Sequence, residues 1–502
     1  MEKINKTNKL HILIIVLGII FISIPAFHSN IWFDESYSVA IVKHSFSNIW
    51  NITGNDVHPA LYYWLLHIVY LIFGQNILIY RLFSVLAIGI LGILGYTHIK
   101  KDFGEKVGIT FTFLTYFLPI MCTYAQEIRM YSWACLIVTL MAIYAYRFYK
   151  NIENNEKNGR IKNLILFGVF SISCCYIHYY ALVTTCLVNL LLLIYTIKKR
   201  KKDKTALIHF LILSGVQILL YIGWIIYMIS QLKHVSGGFW IEVGLINTTV
   251  EVLSFQFKRQ LDTNFSFNIQ TIVSLITSIL MYIYIIFKIC ILKKERKDIK
   301  PAILSGGIYI GVIAIILLVS IVMPILYSRY LLVMTGMYIF ALAYIISKEK
   351  NKIVKFIIAV AIILLGIASN VENVMINYDS SNSEVYNYIK SEIRQDDIIV
   401  YSNIGNGGVI AAYFPENEQY FLNFEFWDVE EAYKAYGPGM TTVTDWNFLE
   451  NIGNKRIWLI DSEYMSLYDI WPKENCEVLK KAYRVDTKYH NYVYNIMLLE
   501  KQ

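Results

Sequence analysis

Long apolar runs separated by short charged segments dominate the first 370 residues of the chain. Several runs continue for about 18 residues or more without a charged side chain, which is the length that a helix needs to span a bilayer. The pattern predicts a polytopic membrane bundle with about eleven transmembrane helices. The predicted spans are residues 10–28, 77–99, 107–124, 130–149, 163–177, 179–197, 206–229, 269–287, 302–323, 328–347 and 353–370.

Lysine-rich segments indicate how these helices are oriented. Six such segments lie at residues 3–9, 100–106, 150–162, 198–204, 288–300 and 348–355. Because cytoplasmic loops carry an excess of Lys and Arg, all six are expected on the cytoplasmic side. The chain must then cross the membrane an even number of times between consecutive segments. The last span, 353–370, leaves the C-terminus outside.

This parity condition identifies one apolar run that does not cross. Three runs lie between Lys9 and Lys100, and three crossings would place Lys100 outside. The middle run, 59–73, is short and rich in Tyr, Trp and His, which favours a helix lying in the membrane interface. Residues 29–75 are therefore predicted to form one long outer loop with interfacial helical structure, and residues 230–268 a second outer loop.

The composition changes after residue 370 to that of a soluble domain. Predicted helices cover residues 383–393 and 408–414, and predicted strands cover 397–401, 420–424, 456–460 and 492–499. Alternation of this kind predicts a small α/β domain. The chain is therefore expected to consist of a transmembrane domain, 1–370, and an extracytoplasmic α/β domain, 371–502.

Composition and charge agree with this division. Of the 502 residues, 56% are hydrophobic, and the mean hydropathy is +0.48. The net charge of +8 is uneven, because residues 371–502 contain 11 Lys and Arg against 21 Asp and Glu, a net of −10, and the remainder therefore carries +18. The basic excess lies in short loops between helices, so it indicates orientation rather than nucleic-acid binding.

An acidic pair, Asp34-Glu35, directly follows the first predicted span. One interpretation is a pair that merely ends a helix at the interface. Carboxylates are unfavourable at a helix C-terminus, where the dipole is negative, and ionisable groups beside membrane spans usually mark function. Partial burial would raise the pKa of such a carboxyl and suit it to act as a general base.

Asp56 and His58 precede the predicted interfacial helix. Asp near the N-cap and Pro59 in the first turn are ordinary features of a helix start. These preferences explain Asp56 and Pro59 but not His58. The sequence leaves three interpretations of His58 open: it binds a divalent metal with Asp56, it hydrogen-bonds a phosphate, or it caps the turn.

A polar cluster, Gln126-Glu127-Ile-Arg129-Met-Tyr131, lies at the outer end of the next pair of spans. Snorkelling explains a single Arg at an interface, but it explains the whole cluster less well. Arg129 has a planar fork that binds phosphate oxygens bidentately, and Glu127 would orient it. The cluster is therefore a candidate for anion binding.

Two further outer turns carry polar and aromatic side chains, His178-Tyr-Tyr and Tyr327-Ser-Arg329-Tyr. Aromatic belts place Tyr at such depths without any function. Arg329 is more informative, because the short outer turns otherwise contain few basic residues. The alternatives for Arg329 are a phosphate ligand and a structural residue.

The order of these motifs resembles that of the GT-C membrane glycosyltransferases. The nearest group is glycosyltransferase family 39, which includes the protein O-mannosyltransferases, together with the lipid A aminoarabinose transferase and its bacterial relatives. The resemblance covers roughly residues 10–350 and rests on His58-Pro-x-Leu and Gln126-Glu-x-Arg-Met-Tyr in this order. Ala60 stands where the family commonly has a second Pro, which softens that turn.

The resemblance implies a sugar donor carried on a polyprenyl phosphate and inverting transfer at the outer face, where nucleotide sugars are absent. It implies that Asp34 is the base and that Glu35 positions the acceptor or the base. Arg129, Arg329 and His58 would receive the leaving phosphate. Some relatives bind a divalent metal near this loop, and Asp56 with His58 would be its ligands here.

The expected partners are a polyprenyl-phosphate sugar, membrane lipids and an acceptor that is a surface glycan, lipid or protein. The expected location is the plasma membrane, and the richness in Ile, Asn and Lys favours a bacterial source. One alternative is a transporter or flippase for a polyprenyl-linked glycan, which would place ionisable residues near the bilayer midplane, often within repeats. Another is an oligosaccharide ligase or polymerase, which would transfer a chain rather than a single sugar.

Overall fold

The computed structural model describes residues 6–236, 244–259, 268–295, 298–401, 404–423, 434–437, 439–461, 471–474, 476–488 and 490–501. Ten helices in this part of the chain are long and apolar enough to cross a bilayer, so the protein is a multi-pass membrane protein. The helices up to the end of the last span are α1 (Lys6–Ser23), α2 (Phe33–Ile41), α3 (Phe46–Asn55), α4 (Leu61–Phe73), α5 (Ile77–Leu94), α6 (Lys100–Phe103), α7 (Glu105–Phe117), α8 (Pro119–Tyr124), α9 (Tyr131–Glu153), α10 (Arg160–Ile177), α11 (Tyr179–Lys199), α12 (Lys204–Ser236), α13 (Leu245–Ser254), α14 (Ile269–Lys294), α15 (Lys300–Ser320), α16 (Thr335–Ser347) and α17 (Lys352–Asn377).

The predicted span at 107–124 is not one continuous helix. It consists of α7 and α8, which are separated at Leu118, whose backbone is extended with φ −65° and ψ 127°. The cause is Pro119, because the ring of a proline disfavours the helical conformation of the residue before it. The other ten predicted spans each correspond to one of the long apolar helices.

The broken helix runs antiparallel to α5. The Thr112 hydroxyl donates to the carbonyl oxygen of Gly92 at 2.7 Å, and the Tyr116 hydroxyl donates to that of Gly89 at 2.8 Å. Gly95, just after α5, allows the closest approach, because a Cβ there would lie 2.1 Å from the Thr112 hydroxyl oxygen. Residues 105–124 therefore return alongside α5 in spite of the break.

Residues 29–75, which were predicted to form one long outer loop, contain three short helices. The predicted interfacial run forms α4, which has 13 residues. Two helices, α2 and α3, precede it and were not predicted as separate elements. Ser45 caps α3 by accepting a hydrogen bond from the backbone N–H of Asn48 at 3.3 Å.

The chain divides into two compact units. The first consists of Met1–Ala26, Val57–Tyr62 and Arg81–Asn373, and the second of Phe27–Asp56, Tyr63–Tyr80 and Val374–Gln502. Most of residues 29–75 thus belong to the same compact unit as the C-terminal residues.

The C-terminal residues form a mixed six-stranded sheet with two helices. The elements are α18 (Ser381–Glu392), β1 (Ile398–Tyr401), α19 (Ile404–Tyr413), β2 (Glu418–Leu422), β3 (Met440–Val443), β4 (Arg456–Asp461), β5 (Cys476–Asp486) and β6 (Val493–Lys501). The strand order is β3-β2-β1-β4-β6-β5; the first four strands in this order are parallel, and β6 and β5 are antiparallel to their neighbours. The sheet confirms the predicted α/β fold, although β3 and β5 were not predicted.

A buried ion pair joins two central strands of this sheet. Arg456 donates from Nε and Nη2 to the carboxylate oxygens of Asp397 at 2.9 and 2.6 Å, and Trp458 donates to the same carboxylate at 2.8 Å. Burial alone would raise the pKa of the Asp397 carboxyl, but these hydrogen bonds, led by those of Arg456, hold it below its usual value. Their stabilising effect is therefore present above the ordinary carboxyl pKa and is lost as the pH falls through the lowered one.

We predict that Asp397→Asn destabilises the C-terminal domain by about 3 kcal/mol, because it leaves the charge of Arg456 without its partner. The probe is the buried thiol of Cys476, the single cysteine of residues 371–502, whose alkylation reports opening of the domain. The matched control is Asp396→Asn, since Asp396 is exposed one residue away. Equal labelling rates in the two variants would contradict a stabilising role of the pair.

Candidate active site

Arg81 organises the turn that carries the Gln126–Tyr131 cluster. Its side chain is fully buried at the start of α5, and Nη1 donates to the side-chain oxygen of Gln126 at 2.6 Å and to its carbonyl oxygen at 3.2 Å. The two bonds fix both the backbone and the side chain of Gln126. The sequence analysis did not assign Arg81 to the site, although an arginine inside an apolar run is itself a signal of function.

His58 and Arg129 form a second contact in the same compact unit. Nη2 of Arg129 lies 3.0 Å from Nε2 of His58. Because a guanidinium group can only donate hydrogen bonds, Nε2 must accept, and the imidazole is therefore neutral in this contact. Arg129 itself is 3% exposed, as is expected for a cation held by several neighbours.

His178 lies between α10 and α11 and caps the second of them. Its Nδ1 accepts a hydrogen bond from the backbone N–H of Tyr180 at 3.0 Å, which satisfies one of the open donors of the first turn. Burial, with smaller contributions from nearby His58 and Arg129, lowers the pKa of His178 to about 3. His178 is therefore neutral at physiological pH and acts as a hydrogen-bonding group.

A second group of cations lies at the turn before α16. The Nη2 atom of Arg329 donates to the Tyr327 hydroxyl at 3.0 Å, and its guanidinium carbon lies 4.7 Å from the centre of the Tyr327 ring. Arg329 and Lys258 line one small pocket. The remaining lining residues are Ile120, Tyr124, Phe255, Tyr327 and Ser328. Tyr124 lines this pocket and its ring lies 5.9 Å from that of Tyr131, so it connects the pocket with the Gln126–Tyr131 cluster.

Aromatic rings enclose these polar groups. The ring of Tyr330 lies 5.0 Å from that of His178, 5.3 Å from Tyr180, 5.5 Å from Tyr327 and 6.1 Å from Tyr131. The Tyr180 hydroxyl donates to the carbonyl oxygen of Ile325 at 2.8 Å, which ties α11 to the segment before Tyr327. The structure thus brings Tyr131, His178 and Tyr327 together, and it adds Tyr180 and Tyr330, which had been treated as members of an aromatic belt.

Asp34 and Glu35 belong to the other compact unit, and their helical context differs from the prediction. They lie in the first turn of α2, whereas the first span ends before them at Ser23. The interpretation that the pair merely ends the first span is therefore excluded, and the helix dipole favours the two carboxylates where they lie. Glu35 is fully buried and Asp34 is half-buried.

Asp56 and Pro59 also differ from their predicted places. Asp56 is the C-cap of α3 and not the N-cap of the next helix. Helix α4 begins at Leu61, so Pro59 precedes it and does not occupy its first turn. The helix-start explanation for these two residues was therefore wrong, because the chain has an additional helix before the turn.

The described residues show no ligand set for the divalent metal that Asp56 and His58 would have held. No group of three or more His, Cys, Asp and Glu side chains that would hold an ion is found within the described ranges. The Nε2 atom of His58 is turned to a guanidinium group, whose positive charge disfavours a metal cation beside it. The geometry therefore favours an anion at His58 over a metal.

A larger cavity lies elsewhere in the bundle. It has a volume of about 350 Å³ and is lined mainly by apolar residues of α9, α11, α15 and α16, with Lys198 and Lys300 among its lining residues. None of the predicted site residues lines it. Its apolar character distinguishes it from the cationic pocket at Arg329, which carries the candidate chemistry.

The chain is a polytopic membrane protein of the GT-C fold with a C-terminal sheet domain. The crystal structure of ArnT from Cupriavidus metallidurans in the apo state is similar to this chain, with a TM-score of 0.50, 10% sequence identity and coverage of 97% of each chain. The structure of the same ArnT bound to undecaprenyl phosphate gives a TM-score of 0.49 with equal identity and coverage. No protein-family model matches the sequence, and a search of curated proteins finds no match.

ArnT is the lipid A aminoarabinose transferase, a protein of the GT-C fold. The similarity of the apo structure over 97% of both chains confirms the fold that the motifs predicted. At 10% identity it concerns the fold alone, and the chemistry has to be argued from this chain's own residues.

We predict that His178→Asn leaves the pH dependence of activity between about pH 5 and about pH 8 unchanged, because His178 is already neutral there. The Asn side chain can also retain the cap of α11, whereas His178→Ala should cost about 1 kcal/mol of stability. Activity is measured across this pH range and stability by thermal unfolding in detergent. Loss of an ionisation from the activity profile of the His178→Asn variant would show that His178 titrates during turnover.

Proposed function

We propose that this protein is an integral membrane glycosyltransferase that transfers a sugar from a polyprenyl-phosphate donor to an acceptor at the extracytoplasmic face. The observation that carries the proposal is the collection of buried cations in one unit of a GT-C fold. Arg81, Arg129, Arg329 and Lys258 are each at most 8% exposed. An anionic ligand of matching geometry is the natural partner of such a group.

Phosphate is the anion that this group fits best. Arginine presents a planar fork of donors that matches two phosphate oxygens, and Lys258 adds a compact positive charge in the same pocket as Arg329. The neutral His58 would hold Arg129 through its Nε2 atom and so fix the direction of the fork. These contacts support a role in receiving a phosphate leaving group.

The position of the three arginines near the ends of membrane spans supports a phosphate carried on a lipid. Arg81 begins one span, Arg129 precedes another, and Arg329 lies in the first turn of a third. Polar groups at span ends are in reach of a headgroup whose chain remains in the bilayer. We expect the six lysine-rich segments on the cytoplasmic side and these span ends on the outer side. This arrangement requires eleven crossings, one of which would be made by residues 105–124.

The proposed reaction is a direct displacement at the anomeric carbon. The acceptor hydroxyl oxygen forms a bond to that carbon, while the bond between the carbon and the phosphate oxygen breaks, so the configuration inverts. Asp34 takes the proton of the acceptor hydroxyl, and Glu35 supports Asp34 or the acceptor. The leaving polyprenyl phosphate keeps the electron pair, and Arg129 and Arg329 stabilise its charge.

We predict that Asp34→Asn abolishes sugar transfer but leaves donor binding nearly intact, because a base acts on the acceptor in the transition state. Purified protein is assayed with polyprenyl-phosphate sugar and acceptor, and donor binding is measured separately. The matched control is Asp396→Asn, which removes an exposed carboxylate outside the candidate site. Near-normal turnover by the Asp34→Asn variant would exclude Asp34 as the base, and donor translocation without transfer would favour a flippase.

We predict that Arg129→Lys and Arg329→Lys lower donor kcat/KM roughly 10-fold and that the Ala variants lower it roughly 100-fold, because Lys keeps the charge but not the fork. The sugar-free carrier is used as a competitor in each case. Arg160→Lys is the control, since Arg160 is equally buried but pairs with Asp203 at the opposite end of α10 from His178.

Equal competition by the carrier in wild type and all four variants would place phosphate recognition outside the two arginines. A loss confined to the sugar-bearing donor would indicate that they contact the sugar instead of the phosphate.

A further inference from the structure

Helix α2, which carries Asp34 and Glu35, has no cap of its own. Its N-cap residue is Trp32, whose side chain makes no capping hydrogen bond. The first backbone N–H groups of a helix lack partners within the helix and must be satisfied from outside it. An uncapped first turn frays, and Asp34 and Glu35 lie in that turn.

The C-terminal residues supply the missing cap. The Tyr492 hydroxyl accepts a hydrogen bond from the backbone N–H of Phe33, the first residue of α2, at 3.1 Å. The ring of His490, two residues earlier, stacks on that of Trp32 with a centroid distance of 4.2 Å and an interplanar angle of 5°. The turn before β6 thus holds the start of the helix through one hydrogen bond and one stacked pair.

A second hydroxyl holds the same turn from another C-terminal segment. The Ser36 hydroxyl lies 2.7 Å from the carbonyl oxygen of Phe33 and 2.8 Å from the Tyr436 hydroxyl. Since the single Ser36 proton is given to the carbonyl, Tyr436 donates to Ser36. His44, three residues after the end of α2, also contacts this segment, with its Nε2 atom 3.0 Å from the carbonyl oxygen of Ala435.

Packing leaves little freedom for α2 to shift. A Cβ at Gly408, on α19, would lie 2.7 Å from the Tyr436 hydroxyl oxygen and 3.0 Å from the Phe33 ring. Glycine at this position therefore allows α19 to approach the first turn of α2 directly. The helix is held by hydroxyl contacts and by close packing from the same domain.

We propose that Tyr436 and Tyr492 are positioning residues that hold the Asp34–Glu35 turn for catalysis, and that this is a function of the C-terminal domain. The inference rests on the proposed function, in which Asp34 is the base. Small displacements of a base reduce the rate of proton transfer strongly, because the reaction needs hydrogen-bond distance and alignment. The cations that would hold the donor belong to the other compact unit. Loosening α2 should therefore lower kcat and leave the donor KM unchanged.

The test uses Tyr436→Phe and Tyr492→Phe in the full-length protein, because each keeps the ring and removes one hydroxyl. We expect kcat to fall roughly 10-fold in each variant and the donor KM to stay within about twofold. The double variant Ser36→Ala/Tyr436→Phe should have a kcat no lower than that of the more impaired single variant, because both changes remove the same contact between the two hydroxyls. Hydrogen exchange of peptides that cover residues 33–36 should be faster in the Tyr492→Phe variant.

Tyr420→Phe is the matched control, because its hydroxyl bonds to Glu418 within the same domain. Protection of the Cys476 thiol shows that the domain stays folded in every variant. Wild-type kcat in both Tyr variants, or a matching loss in the control, would overturn the inference. If Asp34→Asn keeps its activity, the proposed base is wrong; if only the Tyr variants keep theirs, the positioning role alone fails.

Discussion

The candidate site depends on the cost of burying positive charge at the ends of membrane spans. Arg81, Arg129, Arg329 and Lys258 are all buried in one compact unit, and Lys258 pairs with Glu251 at 3.5 Å. Charges in such a place are retained only where hydrogen bonds and nearby charges compensate for lost hydration. Gln126, His58 and Tyr327 provide that compensation as neutral acceptors. Hydrogen bonds from these acceptors also fix the direction of each guanidinium group.

The site residues lie where regular helices are interrupted. Pro119 breaks the segment beside α5 and leads to the Gln126 turn, His178 separates α10 from α11, and a 3₁₀ helix, Ser328–Met334, precedes α16. Backbone groups released by such breaks need partners within the protein, because hydrocarbon supplies none. The same breaks allow side chains from separate spans to converge. The cationic side chains therefore meet at the positions where the helices are interrupted.

The sequence predicted most of the membrane fold because apolar length and lysine-rich loops are local properties. Of the eleven predicted spans, ten correspond to long apolar helices of the described residues, and four of the six strands found there were predicted. Gln126, Arg129, His178 and Arg329 stood out in the sequence as polar groups beside apolar runs. The two missed strands, β3 and β5, are less distinctive: β3 has only four residues, and β5 contains several charged side chains. The contacts of Arg81 and Tyr330 join elements that are distant in the sequence, and no periodicity reports such contacts.

The helix that carries Asp34 and Glu35 was not predicted, for a specific reason. Ser, Thr, Asp or Asn at the N-cap normally indicates the start of a helix, but the N-cap residue of α2 is Trp32. The group that satisfies the first N–H of α2 is the Tyr492 hydroxyl, 459 residues away in the chain. A cap supplied from that distance leaves no trace in the local sequence. The acidic pair therefore looked like the end of the preceding span.

The length of α2 explains why it needs this support. Isolated helices shorter than about 12 residues are marginal in water, because nucleation fixes several residues for each hydrogen bond gained. Helix α2 has nine residues and α3 has ten. Neither can depend on its own hydrogen bonds, so packing against α19 and the hydroxyls of Tyr436 and Tyr492 must stabilise the turn that carries the carboxylates. The shortness of α2 thus explains a need for the C-terminal domain: a base carried on a nine-residue helix requires a folded domain packed against that helix.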